Sequence, residues 1–242
     1  MKNILDIKNL SYSFGNNPIL KDINIHVNEN EMVAIVGSSG VGKSTLFNLI
    51  AGVLKKQVGE IAINGSEDYI GKVAYMLQKD LLFEHKTIIN NVILPLIIAK
   101  VNKKEALEEG NKILKQFNLD KYANKYPQQL SGGMRQRVAL IRTYMFKRNI
   151  FLLDEAFSAL DAITKKELHK WYLDLKKEFN LTTLLITHDI EEAVFLSDRI
   201  YILGNKPGEI IGEIKIEINP NEDIDVQRLF YKKEILNIMN IE

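Results

Sequence analysis

The sequence contains no cysteine, and neither sign of charge is in clear excess. Without cysteine the chain has no disulfide framework, no thiolate nucleophile and no cysteine-ligated metal site. Its 32 lysines and arginines nearly balance 31 aspartates and glutamates, which leaves a formal net charge of +1. Dedicated nucleic-acid-binding domains usually have a strongly basic surface. We therefore expect no nucleic-acid partner.

Long hydrophobic runs are also missing. The longest uncharged apolar stretch covers residues 87–99 and is interrupted by two asparagines and a proline, whereas a membrane-spanning helix needs about 20 apolar residues. The N-terminal segment is not a secretory signal, because Asp6 and Lys8 interrupt its apolar residues. We expect a cytosolic chain that reaches a membrane only through a partner.

Apolar runs and helical patterns alternate along the chain. Short apolar runs at residues 32–36 and 150–153 are typical of strands buried on both faces of a parallel sheet. Helical periodicity dominates residues 81–147, between two groups of predicted strands, and returns near the end at residues 224–239. This order predicts an α/β fold whose parallel sheet is interrupted by a helical insertion.

The strongest local pattern is a G-x-x-x-x-G-K-S/T motif between a predicted strand and a predicted helix. Its residues are Gly37, Ser38, Ser39, Gly40, Val41, Gly42, Lys43, Ser44 and Thr45. Glycines in such a turn let backbone N–H groups approach phosphate oxygens, and the following helix N-terminus is partially positive. Lys43 would add a charge and Ser44 a hydroxyl for Mg²⁺. The motif predicts a nucleotide site without specifying the reaction.

Two adjacent carboxylates follow the second apolar run. A strand without polar alternation is not expected to end in two acids unless they face a site. Asp154 would hold Mg²⁺, directly or through water, and Glu155 would polarise an attacking water as a general base. A P-loop kinase is an alternative, although we find no pattern for a phosphate-acceptor pocket.

A third motif precedes a predicted helix. Residues 130–137 read Leu-Ser-Gly-Gly-Met-Arg-Gln-Arg; Ser131 would cap the helix, and Gly132 and Gly133 would offer N–H groups to an anion. With these motifs, the sequence resembles the nucleotide-binding subunits of ATP-binding-cassette (ABC) transporters, whose signature is LSGGQ-like. Met134 stands where that family more often has glutamine.

The resemblance covers nearly the whole chain and implies roles for further residues. Gln78 is similar to the Q-loop glutamine, which senses Mg²⁺ and the γ-phosphate, and His188 to the switch histidine, which contacts the γ-phosphate. Asp161 lies in a segment similar to the D-loop, which crosses between two subunits, and Tyr12 stands where the family has an aromatic that stacks on adenine. Ala156 replaces the usual proline after the two acids.

The resemblance also implies a fold and its division. We expect an α/β P-loop NTPase of the ABC ATPase type, with a RecA-like mixed sheet core, an antiparallel β subdomain and an inserted α-helical subdomain. Residues 1–242 would form one ABC ATPase domain. Its core would comprise 1–80 and 148–218, its helical subdomain with the signature 81–147, and its C-terminal helix 219–242.

The implied activity is ATP hydrolysis with Mg²⁺. The resemblance implies catalytic roles for Glu155, His188, Gln78 and Lys43. It implies Mg²⁺ contacts from Ser44, Gln78 and Asp154. Nucleotide contacts would come from the phosphate motif and also from Tyr12, Ser131, Gly132, Gly133 and Asp161. In this family two copies form a head-to-tail dimer with two ATP molecules at the interface. Ser131 and Gly133 of one copy would then cap the γ-phosphate bound by the other.

Two later segments indicate a particular group within this family. Residues 193–200, Ala-Val-Phe-Leu-Ser-Asp-Arg-Ile, and residues 205–210, Asn-Lys-Pro-Gly-Glu-Ile, resemble importers of the nitrate/sulfonate/taurine group. This implies transmembrane permease subunits, an extracytoplasmic solute-binding protein and a location at the cytoplasmic face of the membrane. An exporter or lipoprotein-release ATPase, and a soluble non-transport ABC ATPase, stay open as alternatives.

Overall fold

The computed structural model describes residues 2–158 and 160–240, and these contain two β-sheets and eight α-helices. The strands are β1 Asn3–Phe14, β2 Asn17–Asn28, β3 Met32–Val36, β4 Val58–Ile63, β5 Val73–Met76, β6 Ile150–Asp154, β7 Thr182–Thr187, β8 Arg199–Gly204 and β9 Glu209–Lys215. The helices are α1 Lys43–Ile50, α2 Ile88–Val92, α3 Leu94–Ile98, α4 Lys103–Gln116, α5 Gly132–Tyr144, α6 Ala162–Phe179, α7 Ile190–Leu196 and α8 Ile224–Ile238.

The larger sheet has the strand order β5-β6-β7-β3-β8-β9. Its first five strands run parallel, and β9 pairs antiparallel with β8 at the edge. Every residue of β3, β6 and β7 is buried, as their uninterrupted apolar character predicts. Parallel strands end at the same edge of a sheet, so the loops after β3, β5, β6 and β7 are brought together there.

The smaller sheet is antiparallel, with β1 paired between β2 and β4. Its inner face, together with α1, packs on one face of the larger sheet through residues such as Leu10, Ile35 and Phe47. The helices α2 to α6 cover the other face, where Leu153 and Leu185 contact the helical core. The predicted fold class, a mixed sheet core with an antiparallel sheet and inserted helices, is confirmed.

The importer-like segment at residues 193–200 has a structural role. Asp198 accepts a hydrogen bond from the backbone N–H of Met32, at 2.7 Å, at the start of β3. The buried Arg199 guanidinium lies 2.8 Å from Glu31 through Nε and 2.8 Å from Glu213 through a terminal nitrogen. The segment therefore joins the beginnings of β3 and β8 to β9.

In the described part of the chain, no helix combines the length and apolar character needed to cross a membrane.

Candidate active site

The phosphate motif forms the turn between β3 and α1. Gly42 is the N-cap of α1 at φ +111°, and a Cβ there would lie 2.7 Å from the side chain of Leu20, so the turn requires glycine. The Lys43 ammonium is buried and donates to the carbonyl oxygens of Gly37 at 2.8 Å and Ser38 at 2.9 Å. Burial lowers the pKa of Lys43, against the opposing effect of Glu155 and Asp154. The carbonyl oxygens of the loop thus surround the ammonium group of Lys43.

Asp154 ends β6 beside this loop. Its Oδ1 lies 3.5 Å from the Ser44 hydroxyl, and its Oδ2 accepts a hydrogen bond from the Tyr75 hydroxyl at 3.1 Å. Burial raises the pKa of Asp154, although both hydroxyls favour the carboxylate. A carboxylate next to a hydroxyl fits Mg²⁺, which usually takes one or two protein ligands and completes its octahedron with phosphate and water oxygens.

Glu155 is the point at which three predicted residues meet. Gln78 Nε2 donates to Glu155 Oε2 at 3.0 Å, and His188 Nδ1 lies 3.3 Å from the same oxygen. The Glu155 backbone has φ +46°, and its N–H donates to the carbonyl of Ile186 at 2.9 Å. This left-handed conformation turns the chain sharply at the end of β6 and presents the carboxylate to the loops after β5 and β7.

The turn after Glu155 is closed without the usual proline. Both the backbone N–H and the hydroxyl of Ser158 donate to the Glu155 carbonyl, at 3.1 Å and 2.9 Å. Ala156 is completely buried. The replacement of proline by Ala156 therefore leaves a hydrogen-bonded turn at this position.

The signature and D-loop residues lie at two helix N-termini. Ser131 caps α5, where its hydroxyl oxygen accepts from the N–H of Met134 at 3.4 Å, and Asp161 caps α6. A Cβ on Gly133 would lie 2.4 Å from the side chain of Thr164, so the two helix starts are packed closely. Among the described residues, no hydrogen bond or ion pair joins these two N-terminal segments to the phosphate loop.

The burial of Tyr12, near the end of β1, differs from what an adenine contact requires. Tyr12 is only 8% exposed and packs into the core between the sheets, which leaves no ring face for adenine. Phe14 is 52% exposed, and its ring meets that of Tyr12 edge to face at 5.0 Å between centroids. Register shifts in the pairing of β1 with β2 lie on both sides of Tyr12, and the sequence does not reveal them.

Sequence reasoning also missed the residues that support the site. Arg135 of the signature helix lies 2.9 Å from Asp80, two residues after Gln78, and Arg142 donates to the carbonyl of Leu81 at 2.7 Å. Tyr75, which holds Asp154, was likewise not predicted. Each contact joins residues more than fifty positions apart, and no local pattern reports such a pairing.

Comparison with known proteins agrees with this geometry. Residues 20–158 match the family model described as ABC transporter. The chain is 38% identical to the formylaminopyrimidine import ATP-binding protein ThiZ of Halalkalibacterium halodurans, over 97% of this chain and 96% of that protein. It is 41% identical to the sulfate/thiosulfate import ATP-binding protein CysA of Synechocystis, over 85% of this chain but only 59% of that protein.

A solved structure of an ATP-binding cassette has a similar fold. The dimeric ATP-binding cassette MJ0796, in a post-hydrolysis state bound to ADP and Pi, is 32% identical to this chain. It aligns with a TM-score of 0.74 over 89% of this chain and 100% of its own. With the phosphate loop and both carboxylates inside the matched region, the chain belongs to the ABC transporter family, as an ATP-binding subunit that hydrolyses ATP.

Proposed function

We propose that this chain hydrolyses ATP between two copies of itself to drive the import of a small solute through membrane permease subunits. The observation that carries this proposal is the convergence of Gln78 and His188 on the Glu155 carboxylate, beside Asp154 and the phosphate loop. A general base, a sensor of the γ-phosphate and a metal ligand are the groups that ATP hydrolysis by water needs.

Each residue has a distinct task in this proposal. The backbone N–H groups of the phosphate loop bind the β- and γ-phosphates, and Lys43 turns its ammonium from the loop carbonyls toward them. Ser44 and Asp154 would hold Mg²⁺, which would supply positive charge beside the phosphate oxygens. Glu155 orients the attacking water and accepts its proton, while Gln78 and His188 move from Glu155 to the γ-phosphate.

The second copy completes the site. Ser131 and Gly132 are exposed at the N-terminus of the thirteen-residue helix α5, where unpaired N–H groups carry partial positive charge. Asp161, also exposed, caps the neighbouring helix. We assign the Ser131 hydroxyl and the N–H groups of Gly132 and Gly133 to the γ-phosphate bound by the partner copy, and Asp161 to the interface between the two copies. The dimeric state of the related cassette bound to ADP and Pi supports this arrangement.

We assign the adenine contact to Phe14 instead of Tyr12. An exposed ring at the end of β1 offers a face to a base, whereas a ring buried in the core offers none. Phe14 is also followed by the tight turn at Gly15, so the ring stands at the tip of the β1–β2 hairpin.

The permease contact is proposed for the surface beside Gln78. Leu77, Leu81 and Phe83 are large apolar side chains that stay exposed there, and residues 82–91, at the start of the helical segment 81–147, continue this surface. Arg135 and Arg142 tie this surface to the signature helix α5, so that a permease pressing on it acts on the ATP interface. A cluster of exposed apolar residues of this kind is typical of a protein interface.

Import is favoured over export by the names of the relatives, since both are import ATP-binding proteins. Those relatives serve chemically different solutes at similar identity, so the ATPase sequence does not select one. A nitrate-, sulfonate- or taurine-like solute, delivered by an extracytoplasmic solute-binding protein, stays a prediction from the two importer-like segments. The chain would then sit at the cytoplasmic face of the membrane.

Affinity purification from detergent-solubilised membranes tests the transport role. The chain is expected to retain a multi-spanning membrane protein, and the double substitution Leu81→Asp with Phe83→Asp is expected to release it. The matched control is Ile70→Asp, at an exposed apolar residue outside this surface, which should retain the partner. Recovery of soluble partners alone, with both variants and the parent alike, would contradict the importer proposal.

A further inference from the structure

The first turn of α6, residues 162–165, lies between the signature segment and the loop that carries His188. On one side Thr164 packs against Gly133; on the other Lys165 reaches Asp189. Under the proposed function, the signature segment serves the ATP of the partner copy and His188 serves the ATP of its own copy. One turn of helix thus contacts a component of each ATP site.

The contact with the signature segment is close. A Cβ on Gly133 would stand 2.4 Å from the Cγ2 of Thr164, and one on Gly132 would stand 3.4 Å from Leu160. The turn itself is held by Asp161, whose Oδ1 accepts from the N–H groups of Ile163 and Thr164, at 3.1 Å each. Since close-packed groups cannot slide freely past each other, a displacement of the signature segment displaces this turn.

The contact with the switch loop is ionic. Lys165 Nζ lies 2.7 Å from Asp189 Oδ2 and 3.1 Å from Glu192 Oε1. Asp189 in turn caps α7, because its Oδ1 accepts from the N–H of Glu192 at 3.1 Å, and its own N–H donates to the Thr187 hydroxyl at 3.0 Å. His188 stands between Thr187 and Asp189, so the path of its backbone depends on both anchors.

A second residue of α6 reinforces the link. His169, one turn further along, lies 3.0 Å from Glu192 through Nε2, and both side chains are buried. Burial alone opposes the charge on Lys165, but its hydrogen bonds and charge contacts with Asp189 and Glu192 outweigh this and raise its pKa. Without the ammonium, two neighbouring carboxylates would face each other with no cation between them.

We infer that Lys165 is a positioning residue that couples the two ATP sites of the dimer. It holds the His188 loop in register with the helix turn that rests on the signature segment. Closure of the signature on the partner's ATP thereby sets His188 for hydrolysis of the chain's own ATP. This inference rests on the proposed function, because it needs the signature to act on the second copy.

The test compares Lys165→Met with Lys165→Arg and with Lys166→Met, an exposed neighbour on the same helix. ATP hydrolysis by the full chain is measured for kcat and KM, and folding is followed by thermal unfolding. We expect Lys165→Met to lower kcat about tenfold with KM within about twofold, since coupling between sites typically amounts to 5–150-fold. Lys165→Arg should restore kcat, and Lys166→Met should match the parent.

A double-mutant cycle with Asp189→Asn separates coupling from general damage. Asparagine keeps the cap of α7 but removes the charge, so Lys165→Met with Asp189→Asn should be no slower than Lys165→Met alone. Equal kcat in Lys165→Met and Lys166→Met, or fully multiplicative losses in the double variant, would overturn the inference while leaving the ATPase intact. A parent chain without hydrolysis would overturn the proposed function, and this inference with it.

Discussion

At the scale of single residues, Glu155 is the centre of the site, and only some of its contacts are visible in the sequence. Its identity as the second of two acids after a buried strand is a local pattern, and so are the glycines and lysine of the phosphate loop. Its partners Gln78 and His188 come from loops that are distant in sequence, and only the resemblance to a family pointed to them. The structure shows that all three meet at one carboxylate oxygen.

Replacing Glu155 by glutamine tests the general-base assignment. The amide keeps the size of the side chain but accepts no proton, so we expect ATP binding to persist and hydrolysis to slow by about 10²–10⁴-fold. Phosphate release and equilibrium ATP binding are the two measurements. Turnover equal to that of the parent would remove Glu155 from this role.

Phe14→Ala tests the adenine contact. Loss of stacking, worth about 1–3 kcal/mol, should raise the dissociation constant for ATP about 5–150-fold, as measured by titration calorimetry. The binding of inorganic triphosphate, which has no base, should be unchanged. Tyr12→Leu, which also removes an aromatic ring from β1, is the matched control, and we expect it to bind ATP as the parent does; the opposite pattern in the two variants would return the adenine contact to Tyr12.

At the scale of elements, apolar runs predicted the strands β3 and β6, and helical periodicity predicted α8 and the helices between residues 81 and 147, because each element has its own burial pattern. The edge strand β9 was missed, since it has mainly half-buried residues without clear alternation and follows a Pro-Gly turn. The sequence also did not predict the packing of α6 against α7. Lys165, His169 and Glu192 are separate polar residues in the sequence, and only the fold brings the first two into contact with the Glu192 carboxylate.

The α6–α7 network predicts a specific pH dependence of stability. Burial alone would raise the pKa of Glu192, but His169, Thr187 and Lys165 outweigh it and lower that pKa; the pKa of Asp189 is also lowered. Groups with a depressed folded-state pKa contribute stability above their unfolded value, near 4.5 for glutamate, and lose it as the pH falls. Lys165, with a raised pKa, contributes fully below 10.5 and less at higher pH.

Glu192→Gln weakens hydrogen bonds to a charged group and should therefore lower the free energy of unfolding by about 2 kcal/mol at neutral pH, and the difference from the parent should shrink below pH 4. Denaturant unfolding across a pH series measures it. Glu191→Gln is the control, since this neighbouring carboxylate is exposed and its ion pair with Lys232 contributes at most about 1 kcal/mol. A pH-independent difference for Glu192→Gln would contradict the ionic account.

At the scale of the whole molecule, the net charge of +1 is compatible with the binding of polyphosphate. Polyphosphate is bound by local backbone N–H groups and Lys43, so no basic surface is required. One copy, however, contains only part of the site that the proposal describes. Its signature residues Ser131 and Gly132 lie exposed at the N-terminus of α5, and among the described residues no hydrogen bond or ion pair joins them to the phosphate loop of the same copy.

The most direct test of the central claim is the molar mass of Glu155→Gln by analytical ultracentrifugation, with and without ATP and Mg²⁺. We predict a monomer without nucleotide and a dimer holding two ATP molecules with it, and Ser131→Arg in the same background should bind ATP but stay monomeric. A chain that binds ATP tightly and remains a monomer in both variants would contradict the shared ATP site.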